Sequence, residues 1–163
     1  MNEEHLSFLQ DLLETPSPTG SEVPVATLVR QRLASVADEI ATDVMGSVHA
    51  RLDGAADGPA LMLAAHMDEI GLMVTYVSDE GFLSVAALGG VDAAILPGMR
   101  VDVHASGAGA PLRGVVGRKP IHLIEADERK AVTALDKLVI DLGMPGEAVR
   151  EAVRVGDVIT FGV

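Results

Sequence analysis

The sequence contains no cysteine, so it has no disulfide bonds and no thiolate to act as nucleophile or metal ligand. The Gly-x-Ser-x-Gly pattern that presents a nucleophilic serine is also absent. Acyl transfer through a serine or cysteine nucleophile is therefore not indicated. Any metal must be held by imidazole, carboxylate or water, and these ligands suit zinc, cobalt or manganese.

Aromatic and basic side chains are scarce. Aromatic residues make up 2% of the chain, with no tryptophan and one tyrosine, so stacking surfaces for nucleobases or sugars are nearly missing. The 24 acidic residues outnumber the 12 basic ones and give a net charge of -12, which disfavours binding to nucleic acid or to an anionic membrane. Cations and cationic or neutral substrates match this charge better.

Long apolar segments are missing as well. No stretch approaches the roughly 18 uninterrupted apolar residues of a membrane span. The start of the chain, Met1-Asn2-Glu3-Glu4, lacks the basic residues that open a signal peptide, and we expect a cytoplasmic protein. The 163 residues, 48% of them hydrophobic, suffice for one ordinary domain or two small ones of the α/β or α+β class.

The first part of the chain predicts two helices, a hairpin and a strand. Leucines at helical spacing predict a helix over residues 3–14, and a second apolar stripe follows the loop at residues 16–20. Short extended segments joined at Met45-Gly46 predict a hairpin. The apolar run at residues 60–65 predicts a strand buried on both faces, which needs neighbours on both edges. We therefore expect the start of a larger α/β sheet.

His66 and Asp68 directly follow this predicted strand. Ligands of parallel sheets gather at the carboxyl ends of strands, and the two-residue strand period places both side chains on one side. Imidazole is a common metal ligand, and a nearby carboxylate either shares the metal or accepts the second ring N–H. His66 and Asp68 are thus candidate metal-site residues, although spacing alone also fits a hydrogen-bonded strand end. Glu69 points to the opposite side of an extended backbone, which favours a structural role.

After Gly71, the sequence pattern predicts short strands separated by glycine turns, with one short helix at about residues 146–153. The predicted strands cover residues 72–77, 82–88, 99–105, 112–116, 138–142 and 158–161. Strands at this spacing predict a compact β-barrel-like domain. We expect a boundary near Gly71, with domains at residues 1–70 and 71–163.

Several stretches, in order along nearly the whole chain, resemble the TET-type metallo-aminopeptidases. This family includes the glutamyl and deblocking aminopeptidases, and some members have been labelled endoglucanases. The run from His66 to Gly71 is the most specific part of the resemblance. The stretches are Pro16-Ser17-Pro18-Thr19-Gly20-Ser21-Glu22, Leu63-Ala64-Ala65-His66-Met67-Asp68-Glu69-Ile70-Gly71, Gly81-Phe82, Leu88-Gly89-Gly90, Gly114-Val115-Val116-Gly117, Pro120-Ile121-His122-Leu123, Val139-Ile140-Asp141-Leu142-Gly143 and Val155-Gly156-Asp157-Val158-Ile159-Thr160-Phe161.

The resemblance implies a zinc-peptidase α/β catalytic domain with a small inserted β-rich dimerisation domain. It also implies a peptide substrate and homo-oligomers in which dimers build a tetrahedral dodecamer. By position, His66 resembles a ligand of one of two zinc or cobalt ions, and Asp68 resembles the catalytic-site aspartate that orients this histidine. In such enzymes, a metal-activated water attacks the peptide while a separate glutamate takes its proton.

The remaining ligands and the glutamate base lie, in the family, after the inserted domain. We therefore expect this chain to be the amino-terminal portion of the enzyme, to be inactive alone and to bind at most one ion weakly. Two alternatives are a non-catalytic assembly or regulatory module that docks onto full-length relatives, and a glycan-cleaving enzyme. The latter predicts paired carboxylates and aromatic platforms, which the sequence does not display. His122, in a predicted apolar strand, is expected to be structural.

Overall fold

The computed structural model of the protein describes residues 2–55, 58–123 and 131–162. The chain has two compact units, Met1–Glu69 and Ile70–Val163. None of the helices in the described ranges is long and apolar enough to cross a bilayer. The helices are α1 (Glu3–Glu14), α2 (Val23–Leu33) and α3 (Gly146–Ala152). The strands are β1 (Glu39–Thr42), β2 (Val48–Arg51), β3 (Gly71–Val77), β4 (Leu83–Leu88), β5 (Arg100–His104), β6 (Leu112–Arg118), β7 (Leu138–Asp141) and β8 (Val158–Phe161).

The first unit consists of α1, α2 and an antiparallel hairpin. The Asn2 side chain caps α1 by accepting a hydrogen bond from the His5 N–H at 2.9 Å, and Pro24 falls in the first turn of α2, where its missing N–H is tolerated. Strands β1 and β2 pair from Glu39 with Arg51 to Thr42 with Val48. The Asp43 carboxylate closes their turn by accepting hydrogen bonds from the Met45 and Ser47 N–H groups. The predicted helices and hairpin are confirmed.

The prediction of a doubly buried strand at residues 60–65 is wrong for this structure. The segment forms no strand, and Leu61 and Leu63 are 85% and 87% exposed. An extended segment becomes a strand only when neighbouring backbones supply hydrogen-bond partners. In the described part of the first unit, β1 and β2 pair with each other, and no strand lies beside residues 60–65. The α/β sheet expected for this unit is therefore not formed by these residues alone.

The second unit is a closed six-stranded barrel with the strand order β3-β4-β7-β6-β5-β8. Its neighbouring strands are all antiparallel, and closure leaves no free strand edge. Alternate residues point inward, so the buried pattern follows the two-residue period of the strands. Val149 and Val153, from α3 and its carboxyl end, pack into the same core. The predicted β-barrel-like domain is confirmed, and the chain as a whole has a mixed α/β fold.

Gly146, the first residue of α3, lies against the turn between β3 and β4. A Cβ atom at this position would lie 2.0 Å from the Asp79 carbonyl oxygen, which is backbone and cannot rotate away. We expect Gly146→Ala to lower the free energy of unfolding of the barrel by about 1–3 kcal/mol, because overpacking forces α3 off the turn. Urea unfolding measures the change. Gly90→Ala is the matched control, since nothing lies within 4 Å of its added methyl group, and equal losses in the two variants would contradict the prediction.

Candidate functional site

The structure brings the His66 and Asp68 side chains together in the first unit. His66 Nδ1 lies 3.1 Å from Asp68 Oδ1 and 3.1 Å from the Asp68 carbonyl oxygen. Both oxygens are acceptors, so Nδ1 donates a ring hydrogen to them, and in the neutral imidazole Nε2 then holds the lone pair. The His66 side chain is 87% exposed. The Nε2 edge of the ring thus lies on the surface of the unit, and in the neutral ring it is the edge with the lone pair.

The loop between α1 and α2 binds the second carboxylate oxygen of Asp68, Oδ2. The Thr19 hydroxyl donates a hydrogen bond to Asp68 Oδ2 at 2.7 Å. This bond and then the bond from His66 hold the pKa of Asp68 below its usual value, because both stabilise the charged carboxylate. Asp68 is therefore ionised at neutral pH and accepts hydrogen bonds on both sides.

Glu69 bonds to the backbone of the same loop with its carboxylate and with its own N–H. Its Oε1 accepts a hydrogen bond from the Ser17 N–H at 2.8 Å, and its own N–H donates to the Ser17 carbonyl oxygen at 2.9 Å. Pro18 forms an isolated parallel β-bridge with Glu69. Ser17 is 4% exposed, so the loop side of these bonds is buried, and the bond to the Glu69 carboxylate is partly buried. The Glu69 carboxylate is engaged in this structural contact, as its position in the sequence indicated.

Sequence reasoning missed the contact between this loop and residues 68–69. Hydrophobic periodicity says nothing about polar residues in a proline-rich and glycine-rich loop, and spacing within one segment cannot reveal a partner about fifty residues away. In the sequence, residues 16–20 mark the break between the two predicted helices and carry part of the family resemblance. Thr19 was therefore not assigned any role at that point.

Two open clefts border His66 within the first unit. One, of about 750 Å³, is lined by α2, the hairpin turn and residues 65–68. The other, of about 460 Å³, is lined by three leucines of α1, by two valines of α2 and by residues 65–69. Val25 and Pro18 are buried apolar side chains of this unit. The surroundings of His66 therefore offer space and apolar walls.

Among the described residues, the candidate site supplies one metal ligand, His66. A zinc site normally takes about three protein ligands. Within residues 2–55, 58–123 and 131–162, no group of three histidine, aspartate or glutamate side chains could hold an ion. His66 Nε2, with Nδ1 bonded to a carboxylate, has the usual arrangement of a ligating histidine. The chemistry of this donor fits a divalent metal, but the other donors must come from elsewhere.

The other histidines have different surroundings. His49 Nε2 lies 3.1 Å from Asp43 Oδ2 on the exposed hairpin, and His104 Nε2 lies 2.9 Å from Thr160 Oγ1 on the barrel. His122 is exposed in a short 3-10 turn, Ile121–Leu123, so its predicted strand is wrong. Pro120 precedes this turn, and its carbonyl oxygen accepts a hydrogen bond from the Leu123 N–H at 2.9 Å, which closes the turn in place of an extended strand.

Comparison with known proteins identifies the family. The sequence profile of the M42 glutamyl aminopeptidases matches residues 46–162, which is most of the chain. The chain belongs to the M42 glutamyl aminopeptidase family. The resemblance drawn from its motifs is confirmed.

The relatives of this M42 chain include aminopeptidases. It is 34% identical over 158 residues to the lysyl aminopeptidase of Pyrococcus furiosus, covering 94% of this chain and 44% of that protein. Its fold is similar to a TET aminopeptidase from a marine sediment archaeon of the Thaumarchaeota, with a TM-score of 0.90 and 32% identity over 98% of this chain and 45% of that one.

A third M42 relative is the TET1 peptidase of Pyrococcus horikoshii, which can assemble into a tetrahedron or a large octahedral shell. The TM-score is 0.79 at 31% identity, over 96% of this chain and 46% of that one. The present chain thus spans less than half the length of the relatives it matches.

Proposed function

We propose that this M42 family chain is the amino-terminal portion of a metal-dependent aminopeptidase that hydrolyses N-terminal residues from peptides. In this proposal, His66 is a ligand of one of two divalent ions, zinc or cobalt, and Asp68 orients it. The observation that carries the proposal is the free Nε2 of His66, whose other ring nitrogen is 3.1 Å from an ionised carboxylate. Family membership supplies the reaction class.

The residues of this chain have positioning tasks in that reaction. His66 would hold the metal through Nε2, and Asp68 fixes the ring tautomer and its orientation by accepting the Nδ1 hydrogen. A bound divalent ion supplies Lewis-acid chemistry and lowers the pKa of a coordinated water. The acid and base that move the proton lie in a further part of the complete enzyme. That part corresponds to the length of the relatives that this chain does not cover. We propose that the chain alone is inactive because these groups lie in that further part of the enzyme.

The exposed apolar run at residues 60–65 supports the same conclusion. Leu61 and Leu63 are large, apolar and 85–87% exposed, and the open clefts of this unit border the residues that follow them, 65–69. Contiguous exposed apolar surface usually marks an interaction site. We propose that the remainder of the peptidase, corresponding to the uncovered share of the relatives, pairs with this run and converts it into a sheet strand. His66 would then stand at the end of that strand.

The second unit has a separate task in this proposal. It has its own core and closed strand edges, so it does not need the missing polypeptide for its stability. We propose that residues 71–163 form the inserted dimerisation domain, with residues 1–70 belonging to the catalytic domain. The assembly of the Pyrococcus horikoshii relative into closed shells supports a homo-oligomer for the complete enzyme.

A zinc titration of the 163-residue chain tests the proposed ligand. We expect Zn²⁺ to bind weakly at one site, because one protein ligand is far short of the usual set of about three. The His66 ring signals should shift in NMR spectra, and His66→Ala should remove the response. His49→Ala, which alters an exposed histidine bonded to Asp43, is the matched control and should leave it unchanged. Tight binding of two ions by the wild-type chain would contradict the proposal, and no response at His66 would favour a non-catalytic module.

A further inference from the structure

The loop between α1 and α2 meets the segment that carries His66 through three polar contacts. Two of them join the backbone of Ser17 to Glu69, at 2.8 and 2.9 Å. The third is the bond from the Thr19 hydroxyl to Asp68 Oδ2 at 2.7 Å. The first two align the loop with residues 68–69, and the third reaches the carboxylate that contacts His66.

The loop holds the Thr19 hydroxyl in a defined place. Pro18 is buried and has a fixed φ, and the backbone bonds of Ser17 anchor the loop from the other side. Gly20 turns the chain with a φ of +92°, which favours glycine. Threonine is β-branched, so its χ1 angle is restricted. The position of Oγ1 is thus set by the loop and not by a freely rotating side chain.

We propose that Thr19 is a positioning residue for the metal ligand His66, acting through Asp68. Its hydroxyl holds Oδ2, which turns Oδ1 toward His66 Nδ1 and keeps the ring hydrogen on that nitrogen. In the neutral ring, Nε2 is then the nitrogen available to a metal. The part of this inference that concerns metal binding rests on the proposed function, whereas the part that concerns the ring tautomer does not.

Thr19→Val in the 163-residue chain tests the inference, because valine keeps the β-branched shape and removes the hydroxyl. Nitrogen chemical shifts of the His66 ring report which nitrogen carries the hydrogen. We expect the population with the hydrogen on Nδ1 to fall in Thr19→Val and to return in Thr19→Ser. We also expect the Zn²⁺ affinity at His66 to fall by about 10-fold, the low end of the effect of losing an outer hydrogen-bond partner.

Two further variants separate positioning from general stability. Thr27→Val removes a hydroxyl that bonds the Val23 carbonyl oxygen within α2, and it should leave the His66 tautomer unchanged. Asp68→Asn should change the tautomer as Thr19→Val does, and the double variant should change it no further, because Thr19 acts through Asp68. Amide signals of Ser17 and Glu69 check that the loop is still bound in each variant.

The outcomes distinguish this inference from the proposed function. An unchanged His66 tautomer in Thr19→Val, or an equal change in Thr27→Val, would overturn the positioning role. Fully additive effects of Thr19→Val and Asp68→Asn would also overturn it. If the tautomer responds as expected but Zn²⁺ never perturbs His66, the positioning role stands and the proposed metal ligand fails.

Discussion

His66→Ala is expected to lower aminopeptidase activity by more than about 100-fold in an enzyme completed from this chain. Loss of an outer partner of a metal ligand already costs about 10–100-fold, and loss of the ligand itself removes a direct bond to the ion. The test uses a chimaera in which residues 1–163 replace the matching part of the Pyrococcus furiosus lysyl aminopeptidase, 34% identical to this chain. Release of N-terminal residues from peptides, with and without Zn²⁺, measures the activity.

The control for this experiment is His49→Ala in the same chimaera. His49 is an exposed histidine of the same unit, bonded to Asp43 on the hairpin, and its loss should leave activity within a few fold of the parent. Activity that persists in His66→Ala would contradict the assignment of His66 as a ligand. A chimaera that folds and assembles yet shows no activity with metal would contradict the proposed function itself.

The barrel could be predicted from the sequence because its signals are local. Alternation such as Val101-Asp102-Val103-His104 fixes which side chains point inward, and glycine turns mark the strand ends. The order of the strands around the barrel could not be read in this way. Pairings such as β3 with β8 join residues far apart in sequence, and closure depends on all strands together.

Residues 60–65 illustrate the opposite case. The apolar run contains the pattern of a buried strand, but burial depends on neighbours that the run itself does not encode. The described part of the first unit does not provide them. Our proposal that this run joins a larger sheet explains both the pattern and the structure. The other strands of that sheet would correspond to the length of the relatives that this chain does not cover.

The candidate site was predictable in part, where its residues are close together in the sequence. His66 and Asp68 are two residues apart, so spacing was enough to place them together, and the structure has them 3.1 Å apart. Thr19 is separated from Asp68 by 49 positions, and only the folded loop brings its hydroxyl within 2.7 Å. Residues joined by loops escape pattern analysis even when their contacts are short.

A pair of leucine substitutions tests the contrast between the two units. Leu83 on β4 is 0% exposed in the barrel core, whereas Leu63 is 87% exposed. We expect Leu83→Ala to lower the free energy of unfolding by about 2–5 kcal/mol, because it removes buried methyl groups and leaves a cavity. Leu63→Ala should change it by less than about 0.5 kcal/mol, as for other surface substitutions.

Urea unfolding of the 163-residue chain measures both effects. Tyr76, the single tyrosine, lies on β3 and reports on the barrel by fluorescence, while circular dichroism follows the helices of both units. The two substitutions are chemically identical, so their difference isolates burial. A loss of several kcal/mol in Leu63→Ala would mean that residues 60–65 are packed within the chain alone. The proposal that they await a partner strand would then fail, since a covered run has no apolar surface left to pair.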